Sequence, residues 1–363
     1  MPTTLLPAPR LGPSGPFPRA PLDHQLDRRW LHYAFLSRDN EQAVIANLSV
    51  LGRSSGSVPA APGAPPEGRR SGTGCEQGAQ HMAILLVHEW QHGWGSTQFN
   101  AEQPEVPWSA FGLPHPHHLP RPLRIASRSA GPALDVRLRR TSRPCTSQCA
   151  PFAGDQHLRW QSEPGVLGSG TLRLGDGREQ PTELLGYHER VRGRWGWPEL
   201  GGWVFGFVND PAGDPAAAPP SAVVFTFLQP IRPAEATSGS VMLWRHGRMV
   251  RHFPRRSMQI AVQDVLDRDR VVLVPPLART LGTPATAMVP RRLVVTARVG
   301  DDRVVLDFHA RTAARIANPS ETSLRPFSVH ETLGPCRVEA VIGGRRLAFE
   351  TGGIVEFAGG AHD

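Results

Sequence analysis

The chain is 363 residues long, enough for two domains of ordinary size or one large β-architecture, either of which buries a full core without disulfides. Its 40 basic residues are all arginine and sit beside 37 prolines and 37 glycines, the mark of a GC-rich coding sequence, so a formal charge of +8 says little about partners. Four scattered cysteines exclude a disulfide framework, and no apolar run nears the ~20 residues that span a bilayer.

Residues 1–21 are broken by prolines, lack the continuous apolar stretch of a signal peptide and are expected to be disordered. A soluble, cytoplasmic protein is the expectation, with peripheral membrane contact left open and the oligomeric state unread. The first strands are RWLHYAFL (29–36) and AVIANLSVL (43–51), rich in the β-branched and aromatic types that suit a pleated, half-buried surface. Residues 53–80 form a low-complexity insertion whose composition cannot offset the entropy of ordering.

His88-Glu89-Trp90-Gln91-His92 satisfies H-E-x-x-H, the spacing by which one helical turn offers two imidazoles to zinc with a glutamate as general base. A zinc peptidase also needs a third ligand. The expected position holds Gln98, while Glu102, Glu105, His115, His117 and His118 lie in proline-broken chain. Read as a strand, Ile84, Leu86, His88 and Trp90 point one way and Leu85, Val87, Glu89 and Gln91 the other, in keeping with the β-rich flanks. The strand is the expectation, a zinc peptidase is kept as a distant third function, and no metal or other cofactor is expected.

Cys145 and Cys149 lack a second pair for a structural zinc site and, with Cys75 and Cys336, are expected to be free thiols. Residues 103–122, 141–156 and 210–220 read as breaks, and WVFGFV (203–208) and SAVVFTFLQ (221–229) as strands. Three hairpins follow, turning at His246-Gly247, at Gly300-Asp301-Asp302 and at Gly343-Gly344. The arginine run 244–256 interleaves Trp244 and Phe253, a pattern that would suit phosphate contact with base stacking, but a hairpin with a solvated face is the simpler reading and no nucleic-acid partner is expected. VQDVLDRDRV (262–271) and TAARIANP (312–319) are the candidates for a turn or two of helix. No βαβ rhythm and no Gly-rich phosphate loop appear, which disfavours nucleotide cofactors. Many short strands with frequent turns point to an all-β sandwich or barrel.

The stretch LLGYHERVRGRWGWPELGGWVFGFV (184–208) resembles the GYHDHNWG segment of the AttH-like family, which includes the carotenoid 1,2-hydratases (hydroxyneurosporene synthases) and is related in fold to lipocalin-like Diels-Alderases of polyketide pathways. Gly186-Tyr187-His188-Glu189 matches the first half with Glu for Asp, and Gly193 with the following tryptophans echoes the second. RWLHYAFL with AVIANLSVL is similar to the family's opening strands, and residues 331–360 to its closing strands. The sequence departs from the motif at its second histidine, where Arg190 stands. The resemblance implies two tandem lipocalin-like antiparallel β-barrels, the first over 22–200 around the insertion and the second over 201–363, with an apolar ligand chamber in or between them. A barrel of about eight strands has room inside for one small ligand.

The implied activity is a hydratase or cyclase acting by acid catalysis, without cofactor, on a hydrophobic isoprenoid-, carotenoid- or polyketide-like molecule; the alternative is a carrier that binds such a molecule and catalyses nothing. Glu189 is the expected proton donor, since a carboxyl walled by Tyr187, Trp195, Trp197 and Trp203 would be desolvated and stay protonated near neutrality. Those tryptophans are the expected substrate wall, their faces suited to a cation. His188 is expected to orient Glu189 or relay protons. His330, Glu331, Glu339 and Glu356 are expected to be solvated or salt-bridged.

Overall fold

The computed structural model describes residues 24, 26–52, 80–100, 123–125, 131–151, 155–196, 201–215, 217–229, 238–274, 288–318 and 327–360. Residues 1–21 and 53–79, where disorder and the low-complexity insertion are expected, lie outside them. Among the described residues the regular structure is strand, apart from 3-10 turns at Arg255–Ser257 and Arg268–Arg270.

One antiparallel sheet contains nine strands: β1 (Asp27–Ser37), β2 (Gln42–Leu51), β3 (Gln80–Glu89), β4 (Gly93–Asn100), β5 (Leu123–Ile125), β6 (Ala133–Arg140), β7 (Cys145–Pro151), β8 (His157–Arg173) and β9 (Glu179–Arg194). The other contains eleven: β10 (Gly202–Asn209), β11 (Ala222–Gln229), β12 (Gly239–Arg245), β13 (Arg248–Pro254), β14 (Met258–Val265), β15 (Val271–Leu273), β16 (Pro290–Val299), β17 (Asp302–His309), β18 (Thr312–Asn318), β19 (Phe327–Ile342) and β20 (Arg345–Gly360). Both sheets are curled, as the lipocalin-like expectation requires. The three hairpins turn where the glycines stand. His246 and Gly247 (φ 51° and 70°) and Gly343 and Gly344 (φ 56° and 76°) have the positive φ pairs that two-residue turns between twisted strands demand.

The helix candidates are corrected. Residues 258–265 and 312–318 are strands, and only Arg268–Arg270 makes a single 3-10 turn. Thr312–Asn318 is claimed on both sides by partners, parallel to β15 and antiparallel to β19, and that ladder overrides its weak helical period.

The two sheets share one topology. In each, the first strand pairs with the last (β1 with β9, β10 with β20) and starts a meander on its other side. In each, the last strand pairs with a long penultimate strand, whose two halves pair with different partners: β7 and β6 along β8, β18 and β17 along β19. Position for position, Trp30, Ser162 and Glu189 of the first sheet match Trp203, Glu331 and Glu356 of the second, because Ser162 opposes Glu189 just as Glu331 opposes Glu356.

Alternation along the strands divides the apolar residues into three cores. Leu31, Tyr33, Phe35, Leu85 and Val87 fill the concave side of the first sheet, and Val204, Phe225, Leu306 and Val338 that of the second. The third core is the seam where the opposite faces of the two sheets meet, and it holds Trp160, Tyr187, Trp195, Trp203, Phe205 and Phe207. Polar clamps fix the seam. Asn209 accepts the Gly165 N–H and donates to the Gly186 carbonyl, both at 3.1 Å, while Trp244 donates to the Arg143 carbonyl and Trp94 to the Thr312 hydroxyl. A buried amide satisfied on both its ends specifies one docking of the sheets, because any slip leaves donors and acceptors unpaired.

Candidate active site

The seam-facing residues of β9 are Tyr187, Glu189 and Val191, and those of β1 are Trp30, His32 and Ala34. Period-two alternation decides this, since Leu31, Tyr33 and Phe35 are committed to the concave core. Glu189 is 9% exposed. The Tyr187 hydroxyl lies 2.7 Å from Glu189 Oε2 and 2.9 Å from Ser162 Oγ, so Ser162 donates to Tyr187 and Tyr187 to Glu189. Trp30 Nε1 donates to the other carboxyl oxygen at 3.4 Å. Desolvation pushes the Glu189 carboxyl up to about 7; the Tyr187 hydrogen bond opposes this, the Glu356 charge adds to it, and the Trp30 N–H opposes it.

The facing side of the seam comes from the second sheet. Glu331 and Glu356 stand directly opposite one another on β19 and β20. Burial holds the Glu331 carboxyl well above the usual carboxylate range, helped by the Glu356 charge, its hydrogen bond with Glu356 and the Glu189 charge. Trp203 Nε1 donates to Glu356 as Trp30 does to Glu189. A ring nitrogen of His32 and an oxygen of each of Glu331 and Glu356 lie within 4.8 Å of one another. Burial pushes the His32 imidazole below its ordinary value against the pull of Glu356, so the ring is neutral. The wall around these groups is aromatic: Trp30 against Trp203 (ring centroids 6.2 Å), Trp203 against Phe327 (5.2 Å), His32 against Phe205 (6.0 Å) and Tyr187 against Phe205 (5.1 Å).

The structure therefore brings Tyr187, Glu189 and Trp203 of the expected set to one place. His188 is not there. It points the other way, into the first sheet, stacked on Tyr33 (4.3 Å), with Nδ1 3.0 Å from the His32 carbonyl oxygen and Nε2 accepting from Arg190. Adjacent residues of a strand face opposite sides, so the expectation that His188 orients Glu189 is corrected; Tyr187, two residues away, takes that role. Trp195 is buried behind Trp30, edge to face at 5.2 Å, so it supports the wall and Trp30 presents it. Trp197 lies outside the described residues. Glu331 and Glu356, expected to be solvated or salt-bridged, and Trp30 and His32 are the members of the site that sequence reasoning missed. The available signal was the tryptophan two residues from the seam glutamate's partner in each half: Trp30 before His32, and Trp203 before Phe205.

His88 and His92 form no helical turn. His88 ends a strand, buried between Trp90 and Trp94 with burial pushing it down to about 4, and His92 sits exposed in the turn that follows. One imidazole is buried in a strand and the other is exposed in a turn, which removes the helical zinc-peptidase geometry. Trp244 and Phe253, which a nucleic-acid surface would need for stacking, are buried. Cys145 and Cys336 are buried free thiols, while Cys75 and the Cys149 side chain lie outside the description. No described helix is long and apolar enough to cross a membrane.

A cleft of about 600 Å³ opens at one end of the seam, between the β1–β2 and β3–β4 turns of the first sheet and strands β17, β19 and β20 of the second. Leu36, Ala43 and Leu333 belong both to its lining and to the seam core or the residues packed on it. Leu333 lies on the same face of β19 as Glu331, two residues or ~7 Å along the strand. Glu189, Glu331 and Glu356 do not line the cleft; Leu333 is a lining residue that shares their seam.

No family model matches the sequence, and no curated protein matches it. Solved structures do match in fold. A protein described as an AttH from Nitrosomonas europaea superposes with a TM-score of 0.57 at 14% identity over 98% of this chain and 99% of its own. Kievitone hydratase from Nectria haematococca gives 0.52 at 10% identity, covering 92% and 90%, and CghA crystallised with Sch210972 gives 0.53 at 9%, covering 92% and 89%. The likeness to the AttH-like family carried by Gly186–Glu189 is thus met in the fold: the chain consists of tandem lipocalin-like all-β units, as those three proteins do.

Proposed function

We propose that this chain is a hydratase or cyclase that acts on a hydrophobic, alkene-bearing small molecule of isoprenoid or polyketide type, with Glu189 as proton donor. The observation that carries this reading is the Glu189 carboxyl itself, buried between the sheets and held by Tyr187 and Trp30, a setting whose desolvation pushes the carboxyl up to about 7. Protonating an isolated alkene takes an acid kept neutral by its surroundings and a dry, aromatic wall that steadies the cation, each face worth ~0.5–2 kcal/mol. Trp30, Trp203 and Tyr187 supply that wall. Leu36 and Leu333 line the cleft at the end of the seam, the side from which substrate would enter. Proton donation by Glu189 needs no cofactor. The shared fold with a kievitone hydratase supports the reaction class.

The test is turnover of a panel of isoprenoid and polyketide alkenes by the full chain, with Glu189→Gln as the variant. Turnover should fall ~100-fold or more while uptake of the same alkene, read by tryptophan quenching, stays within a few-fold. A chain that takes up the alkenes and turns over none, with or without Glu189, is a carrier, and that outcome refutes the enzyme.

A further inference from the structure

The internal duplication places a second acid–base group across the seam from Glu189. Four observations converge on it. Glu331 and Glu356 are register partners within the longest ladder of the second sheet, so their side chains leave the same face side by side. An oxygen of one lies within 4.8 Å of an oxygen of the other in a buried place, where two carboxyl groups cannot both stay ionised. Glu356 is anchored by Trp203 as Glu189 is by Trp30. Finally, Glu331 Oε2 and His32 Nε2, both buried, have no hydrogen-bond partner among the described residues. Such atoms mark a place built to receive a polar group, since a buried polar atom left unmatched destabilises the fold.

We infer that Glu331 and Glu356 share one proton and, with His32, form the station that binds and deprotonates the attacking water or substrate hydroxyl, opposite the Glu189 donor. This rests on the acid role proposed for Glu189. The step balances as follows. The alkene π pair takes the proton from Glu189, leaving a carboxylate and a cation on the neighbouring carbon. The oxygen held by His32 and Glu331 then forms its bond to that carbon and releases a proton to Glu356. One proton of the now doubly protonated pair returns to Glu189, so the net change is addition of O–H across the double bond. Two copies of one Trp–Glu arrangement have been put to opposite uses: Ser162 beside Glu189 leaves that carboxyl as a single donor, and Glu331 beside Glu356 makes a proton-sharing pair. The groups that face the pair are His32 on β1, Tyr187 and Glu189 on β9 and Trp203 on β10.

The experiment is infrared spectroscopy of the full chain through a pH titration, with turnover measured on the same samples. In the Glu189→Gln background, where that residue's own acid band is gone, a protonated-carboxyl stretch should persist above the pH range of ordinary carboxylates, vanish when Glu331→Gln is added and move in frequency when Glu356→Gln is added instead. Glu331→Gln and Glu356→Gln should each lose turnover ~100-fold with KM unchanged within a few-fold, and Glu356→Asp should recover part of it. Absence of the band in Glu189→Gln, or its survival in the Glu189→Gln/Glu331→Gln double variant, overturns the shared proton while leaving the Glu189 donor intact. Loss of the Glu189 role, with turnover surviving in Glu189→Gln, leaves the band untouched and so is told apart. Stoichiometric divalent metal recovered with the wild type and lost in Glu331→Gln also overturns the inference, because a dication would then sit where the proton is placed.

Discussion

Replacing Glu189 by Gln should change how stability depends on pH. In the folded chain the carboxyl titrates at about 7, and freed in the unfolded chain it returns to 4.5. The folded state therefore holds this proton more tightly. Stability that is fully present below pH 4.5 is lost as pH rises from 4.5 to about 7 and changes no further above that. At about 1.4 kcal/mol per pH unit the loss comes to about 3 kcal/mol for a group only 9% exposed. Glutamine keeps the shape and an acceptor for Tyr187 and Trp30 but binds no proton. Urea unfolding of wild type and variant at a series of pH values isolates the contribution, because Glu331, Glu356, His32 and the other ionisable groups remain in both proteins. The stability difference should swing by about 3 kcal/mol in favour of the variant across that window. A difference that stays flat from pH 4.5 to 7 would mean that Glu189 is solvated, and the acid role would go with it.

Three further outcomes are expected. Tyr187→Phe removes the hydrogen bond that holds the Glu189 value down, so the alkaline limb of the pH–rate profile should move upward while unfolding stability falls by about 1 kcal/mol. His188→Leu should cost about 1–3 kcal/mol through its lost bond to the His32 carbonyl and its stack on Tyr33, yet leave that limb where it is; a moved limb would restore His188 to the site. Gly186→Ala would drive a methyl group into the Ala34 carbonyl and the Phe35 ring, and thermal unfolding should register a loss of about 1–3 kcal/mol.

What could be read from the sequence was local. Val304, Leu306 and Phe308 alternate with exposed neighbours, and glycines stand where φ must be positive, so strands and hairpins were visible residue by residue. Glu189 was visible too, because it follows Tyr187 in a segment with a known likeness. The second half of the site was not. Glu356 lies far along the chain in GGIVEFAGG, where a lone carboxylate among small and apolar residues looks like any exposed strand residue until β10 and β20 are laid against β1 and β9. His188 misleads for a different reason: it stands between Tyr187 and Glu189 in sequence, but a strand sends the middle of three residues away from its neighbours. The zinc pentapeptide shows the converse. A match in spacing means little once the flanking ladder, with Ala43 opposite His88, fixes a rise of two residues per repeat where ligation needs nearly four per turn.

Pairing the first strand of each sheet with its last has a topological corollary. Asp27 faces Arg194 at one join and Gly202 faces Gly359 at the other, so each half begins and finishes at neighbouring points. Either half could be cut free, or the order of the halves exchanged, without stretching the backbone. Each severed piece would nonetheless carry into water the tryptophans and phenylalanines that now meet its twin, and two separately expressed fragments should seek each other out and rebuild the whole.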